Sequence, residues 1–158
     1  MGSMSSIETR NNLESWVSFL RAHAAITREL NADLQNAHGL TLSDYEVLLH
    51  LSWAEGGMMR RVDLAQSVVL TASGITRLLE GLERAGFVEK VSCESDARVS
   101  YAKVTAAGRG KLAEATRTHL AGVDELFTGR FSEHELERLA DLLSRLPHTG
   151  PDCTAGRE

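Results

Sequence analysis

Between Thr71 and Val104 the chain reads TASGITRLLEGLERAGFVEKVSCESDARVSYAKV, a stretch that few folds can accommodate. Its first part is a short helix with clear ends. The Thr71 hydroxyl is suited to cap the free N–H groups of a first turn, and Gly86 is suited to the left-handed conformation that follows a last turn near Arg84. At helical spacing Ile75, Leu78, Leu79 and Leu82 share one stripe, while Ser73, Arg77, Glu80 and Arg84 lie opposite and Thr76 sits on the flank. One face packs and the other meets solvent with short hydroxyls and a guanidinium, groups that bond base edges and phosphates in a major groove. The second part is a two-stranded hairpin, Val88–Ser92 and Ser100–Val104, around a polar tip CESDARV.

Upstream, VDLAQSVVL forms another short amphipathic helix with Leu64, Ala65 and Val68 inward, joined to the first by a turn at Leu70 and Thr71. Two short helices across a tight turn make a helix-turn-helix, although antiparallel helix pairs in plain bundles carry the same pattern. The hairpin separates the two, because a tip bearing Asp96 and Arg98 beside an outward helix has no packing purpose. Candidate DNA contacts are therefore Arg61, Thr71, Ser73, Thr76 and Arg77 on the helices, and Lys90, Asp96 and Arg98 on the wing.

LAQSVVLTASGITRLLEGLERAGFVEK, then DAR, then KVTAAGRGKL resembles the MarR family (multiple-antibiotic-resistance regulators) of winged helix-turn-helix transcription factors. The family's wing hallmark, Asp-x-Arg, stands as Asp96-Ala97-Arg98, and its Leu-Thr-x-x-Gly step stands as Val104-Thr105-Ala106-Ala107-Gly108, with valine for leucine. The resemblance runs in helix order from about Leu40 to Leu146. It implies a mostly α fold with a small antiparallel β-hairpin wing, and a homodimeric regulator of transcription.

The net charge of −5 is ill-suited to a duplex until it is divided along the chain. From Gly57 to Lys111 nine Lys and Arg face six acids, a net of +3, and the remainder carries −8. A basic lobe on an acidic body concentrates the attraction for phosphate where the helix and wing lie. The bland alternative is ordinary surface variation. The 158 residues, 42% hydrophobic, suit one compact domain. No apolar run reaches the length of a membrane span and no leader pattern opens the chain, so a cytoplasmic protein is expected. Met1-Gly2-Ser3 ahead of Met4 reads as a cloning remnant.

Outside the winged lobe, expected over 40–105, three apolar stripes recur at helical spacing. The first, opened by a capping box at Ser5 and Glu8, runs from about Ile7 to Asn36 through Leu13, Trp16, Val17, Leu20, Leu30 and Leu34, and His38-Gly39 ends it. Ser43 and Glu46 then open a helix apolar nearly all round, DYEVLLHLSWAEG, the inner helix of the lobe. The second stripe runs from Ala106 to about Gly129, and the third begins at a capping box, Ser132 with Glu135, and closes at Pro147. Family resemblance makes 5–38 and 106–146 a helical dimerisation region, with 147–158 a frayed tail. An independent reason agrees: one helix-turn-helix reads too few base pairs, whereas a two-fold dimer reads half-sites about 10 bp apart or a multiple of it. An intramolecular bundle is the alternative.

Six histidines and two cysteines form no CxxC, HxxxH or HExxH cluster, so neither metal nor cofactor is expected. No nucleophile elbow or oxyanion loop suggests an enzyme. His119 on an apolar stripe reads as a hydrogen-bonded packing residue, and Cys93 as a passive thiol, with a redox switch as the alternative. Many members of the family bind small aromatic acids or phenols between the dimerisation helices and the winged lobe. Trp16, His23 and Tyr45 are the candidates here for lining such an effector site, and plain packing is the competing role. Overall the expectation is a ligand-responsive homodimeric repressor that binds pseudo-palindromic duplex DNA. A winged-helix module that binds protein without DNA is the alternative.

Overall fold

The computed structural model describes residues 6–68 and 72–147, without the side chains of residues 6–12, 72 and 73. The proposed Ser5–Glu8 box, the Leu70–Thr71 turn, Thr71 as a cap and contact, the Ser73 side chain, the N-terminal remnant and most of the tail lie outside the described residues.

Among the described residues six helices and three short strands follow one another as α1 (Ser6–His38), α2 (Leu42–Trp53), β1 (Met58–Arg60), α3 (Arg61–Ser67), α4 (Ala72–Arg84), β2 (Val88–Ser92), β3 (Ser100–Val104), α5 (Ala106–Leu126) and α6 (Glu133–Leu143). Single 3₁₀ turns at Glu55–Gly57 and Thr128–Arg130 precede β1 and α6. No described helix is long and apolar enough to cross a membrane.

The lobe is built around α2, whose Val47, Leu48 and Leu51 are completely buried against Leu34 of α1, Leu64 of α3 and Leu79 of α4. That outcome follows from a helix apolar nearly all round, whose Tyr45, Val47, Leu48 and Leu51 together have little face to give to water. Its start differs from expectation by two residues. The capping box is Thr41 with Asp44: the Thr41 hydroxyl accepts from Asp44 N–H at 3.0 Å, and Thr41 N–H donates to Asp44 Oδ2 at 2.8 Å. A second first-turn donor, Leu42 N–H, goes to Asn31 Oδ1 on α1 at 2.9 Å, which ties the two helices together.

The hairpin is the larger part of a three-stranded antiparallel sheet in the order β1-β3-β2, not an isolated pair. Central β3 buries Ala102 and Val104 and pairs Tyr101 with Arg60 of β1 and Ala102 with Lys90 of β2. Two strands alone are marginal in water; the third and the helices behind give the wing its support.

α4 ends as its sequence suggests. Gly86 takes φ 78°, Phe87 N–H donates to Leu82 C=O at 2.9 Å and Gly86 N–H to Glu83 C=O at 3.0 Å, the paired bonds of a Schellman stop. The last helix opens with the expected Ser132–Glu135 box. α5 stops at Leu126 and α6 at Leu143, both about a turn earlier than their apolar stripes suggest.

α1 is about 50 Å long at 1.5 Å per residue and divides into two halves. Its C-terminal half packs on α5 and buries Leu30 and Leu34, whereas Leu13, Trp16 and Leu20 in its N-terminal half are 57%, 56% and 44% exposed. Between that half, the end of α5 and α6 runs an apolar groove of about 490 Å³, walled by Phe19, His23, Phe127, Phe131, Leu139 and Leu143.

Candidate nucleic-acid interface

The face of α4 that carries Thr76, Arg77, Glu80 and Arg84 is exposed, and the opposite face buries Ile75, Leu79 and Leu82. The helix therefore has a fixed back and a polar front. The front is not uniformly basic, because Glu80 stands one turn from Arg77 and lends the surface a carboxylate that disfavours phosphate on that side. Arg61 opens α3 and is half-buried; its neighbour Arg60 closes β1, is exposed, and donates from Nε to the Tyr101 hydroxyl at 3.5 Å. Neither Arg60 nor Tyr101 was expected at this surface. Their meeting depends on the β1–β3 register, which no local pattern shows.

Lys90, Asp96 and Arg98 are all exposed on the wing. Cys93 N–H donates to Val99 C=O at 3.3 Å, and Val99 N–H to Asp96 C=O at 3.0 Å, closing the tip. Asp96 supports Arg98 through the backbone: its Oδ1 accepts Arg98 N–H at 2.9 Å, an Asx turn that leads the arginine out of the strand end. Cys93 is half-buried beside the Ser95 hydroxyl at 3.1 Å, and hydrogen bonding from Ser95 and the neighbouring backbone holds its thiol below the ordinary range. Lys103 on β3 pairs with Glu89 on β2 at 3.7 Å across the sheet, so its charge is partly answered within the protein.

The three effector candidates do not share one cleft within a chain. Trp16 is exposed and stacks on Phe19, with ring centres 6.2 Å apart, and His23 lies on the other side of Phe19 at 6.4 Å, in the apolar groove. Tyr45 instead is buried on α2, 4.6 Å from the His119 ring of α5. Its hydroxyl donates to Thr116 Oγ1 at 3.4 Å, since the Thr116 proton is already given to Leu112 C=O at 2.8 Å. His119 packs as expected, but its Nδ1 is buried without a hydrogen-bond partner, and burial lowers its pKa. Sequence spacing alone marks His119 as apolar-faced; the Tyr45 contact comes from the α2–α5 packing. Among the described residues no three His, Cys, Asp or Glu gather as a metal site.

Residues 38–99 match the model of the MarR family. The chain is 26% identical over 138 residues to the HTH-type transcriptional regulator MhqR of Bacillus subtilis, covering 87% of this chain and 92% of that one. Among solved structures it is similar to AbsC, a MarR family transcriptional regulator from Streptomyces coelicolor, with 30% identity, a TM-score of 0.78 and coverage of 92% and 95% of the two chains. It shares its fold with Sco3205, a MarR family regulator of the same organism solved in complex with DNA, at 22% identity, a TM-score of 0.81 and coverage of 92% and 88%.

Proposed function

The chain is a DNA-binding transcriptional regulator of the MarR family, and from that membership we propose that it works as a homodimeric repressor which releases its operator when a small aromatic acid or phenol binds. The observation that best supports the mode of DNA reading is the two-sided α4, with Thr76 and Arg77 exposed over a back of Ile75 and Leu79, in a lobe that also carries Arg98 on a wing tip. In this reading α4, with Thr71 and Ser73 at its start and Arg61 beside it, enters the major groove. Lys90 and Arg98 follow the backbone into the neighbouring minor groove, where a narrow width deepens the negative potential, and Asp96 holds the arginine in place.

Residues 5–38 and 106–146 form the dimerisation region in this proposal, and 40–105 the DNA-binding lobe. Support comes from the exposed Leu13, Trp16 and Leu20 and from the apolar groove beside them, a surface that one chain leaves in water and a second copy of the same elements can cover. A dimer on its operator excludes other proteins from that duplex, which makes repression the simplest outcome, in the cytoplasm where the DNA is. For the effector, His23 lines the apolar groove and Trp16 stacks on Phe19 of its wall, whereas Tyr45, packed on His119, has to be uncovered before it touches a ligand.

Footprinting the purified protein on the DNA upstream of its own gene tests the reading. A protected two-fold element that salicylate-like acids release is expected, with the release weakened by Tyr45→Phe or His23→Ala. Protection of no element above random duplex contradicts operator reading. A footprint indifferent to every aromatic acid removes the effector and leaves Trp16, His23 and Tyr45 as packing residues.

A further inference from the structure

One residue joins the end of the reading helix to the start of the dimerisation region. Thr105, the N-cap of α5, makes four hydrogen bonds at once. Its hydroxyl accepts Gly108 N–H at 3.0 Å and its carbonyl accepts Arg109 N–H at 2.9 Å, which is ordinary capping of α5. Its other two bonds go elsewhere: the hydroxyl donates to Gly86 C=O at 2.7 Å, and Thr105 N–H donates to Phe87 C=O at 3.0 Å. Gly86 and Phe87 are the two residues of the Schellman stop of α4. The contact is close as well as bonded, because a Cβ on Gly108 would run into the Phe87 carbonyl and the Val104 side chain. The first turn of α5 thus presses directly on the turn that ends α4.

We propose that Thr105 is a positioning residue for operator reading: its hydroxyl, by donating to Gly86, fixes the angle between α4 and α5 and with it the separation of the two α4 helices in the dimer. The inference rests on the homodimeric reading above. A hydroxyl serves this purpose because it is donor and acceptor together. A carboxylate caps α5 equally well but has no proton for Gly86. Without the donation, the turn after α4 keeps only the Phe87 bond and its packing to the start of α5, and α4 can tilt relative to α5, which the core of the lobe still holds through α2. Each lobe still recognises its own half-site, but the pair no longer insists on one distance between half-sites.

The test uses the full-length protein with Thr105→Val, Thr105→Asp and Thr105→Ser. Affinity is measured on a single half-site duplex, on the footprinted two-fold operator, and on operators with one base pair inserted or removed at the centre. The wild type is expected to discriminate against the altered spacings. In Thr105→Val and Thr105→Asp the single half-site affinity stays, and the spacing ratio falls by up to about tenfold, the scale of one lost hydrogen bond. Thr105→Ser, which keeps the donor, restores it. If the valine variant does not fold, the aspartate variant answers alone, since its cap is intact. A spacing ratio unchanged in both overturns the proposal. So does a loss shared equally by half-site and full operator together with a lower melting temperature, which is the mark of a cap and nothing more. A wild type that binds one chain per operator, or ignores spacing, instead removes the dimer reading and this inference with it.

Discussion

Asp96 Oδ1 accepts the backbone N–H of Arg98 at 2.9 Å, so the acid at the wing tip shapes the turn and does not neutralise the arginine by pairing with its guanidinium. The arrangement explains how a carboxylate is compatible with the proposal that this surface meets phosphate. Asp96→Ala is expected to weaken DNA binding despite removing a negative charge, because the turn loses its brace. Asp96→Asn keeps an acceptor at the same atom and is expected to bind at least as well as the wild type. Fluorescence anisotropy on a labelled operator separates these outcomes; an alanine variant that binds more tightly than the wild type would show that the Asx turn is immaterial.

Arg98 and Arg77 should fail differently. Arg77→Ala should cost about 1–3 kcal/mol on the best operator and much less on mismatched sites, since a bidentate base contact carries discrimination. Arg98→Ala should weaken good and poor sites more evenly and reduce the salt slope by about one unit, as expected for a lost phosphate-region contact. Competition binding with a panel of single-mismatch duplexes checks both. Equal losses from Arg77→Ala on every duplex would assign that side chain to phosphate and leave base reading to others.

The apolar half of α1 carries the prediction about assembly. Leu13 and Leu20 are 57% and 44% exposed within one chain, so Leu13→Glu with Leu20→Glu leaves the fold of that chain intact. Sedimentation equilibrium should find a dimer for the wild type at micromolar concentration and a folded monomer for the double variant, with little specific DNA binding. A monomeric wild type would contradict the assignment of the terminal helices.

Stability should fall on mild acidification. Burial lowers the pKa of His119, and of His50 by the same cause, from the ordinary value of about 6.5. Below that value the unfolded chain takes up protons that the folded site resists, so the full stability is present above about pH 6.5 and declines as the pH drops through it. Glu46 works in the opposite direction and at lower pH, since burial raises its carboxyl and folding then favours the protonated form. Urea unfolding at a series of pH values from neutral down should show the decline, and His119→Leu should make it shallower. A slope that His119→Leu leaves untouched would mean that the ring finds a proton acceptor in solution.

Much of this was legible in the chain because the signals are local. The Gly86 stop of α4, the Ser132–Glu135 box and the outward placement of Thr76 and Arg77 follow from residue types at fixed offsets. β1 was not legible. Three residues, MMR, show no alternation, and they become a strand only because β3 offers an edge to pair with. The start of α2 was misread in a different way, for Ser43-x-x-Glu46 satisfies the capping pattern but is not the box that forms. Thr41 with Asp44 makes it, and Asn31 of α1 takes the next N–H along, a partner eleven residues away in the chain. The separation of Tyr45 from Trp16 and His23 is tertiary as well: α2 turns Tyr45 toward α5, while the N-terminal half of α1 runs on beyond the lobe.

If the basic lobe of this acidic chain reads duplex DNA as a two-fold dimer, the salt dependence of binding will carry its signature. Binding to the footprinted operator is measured over a range of salt concentrations, beside random duplex of equal length and an operator with one half-site scrambled. Specific binding should weaken steeply and linearly in log–log form, as condensed counterions are released. The intact operator should outbind random duplex at every salt concentration, at two chains per duplex, and scrambling one half-site should remove most of that advantage. A flat salt dependence, or equal affinity for the intact and random duplexes, would contradict this reading.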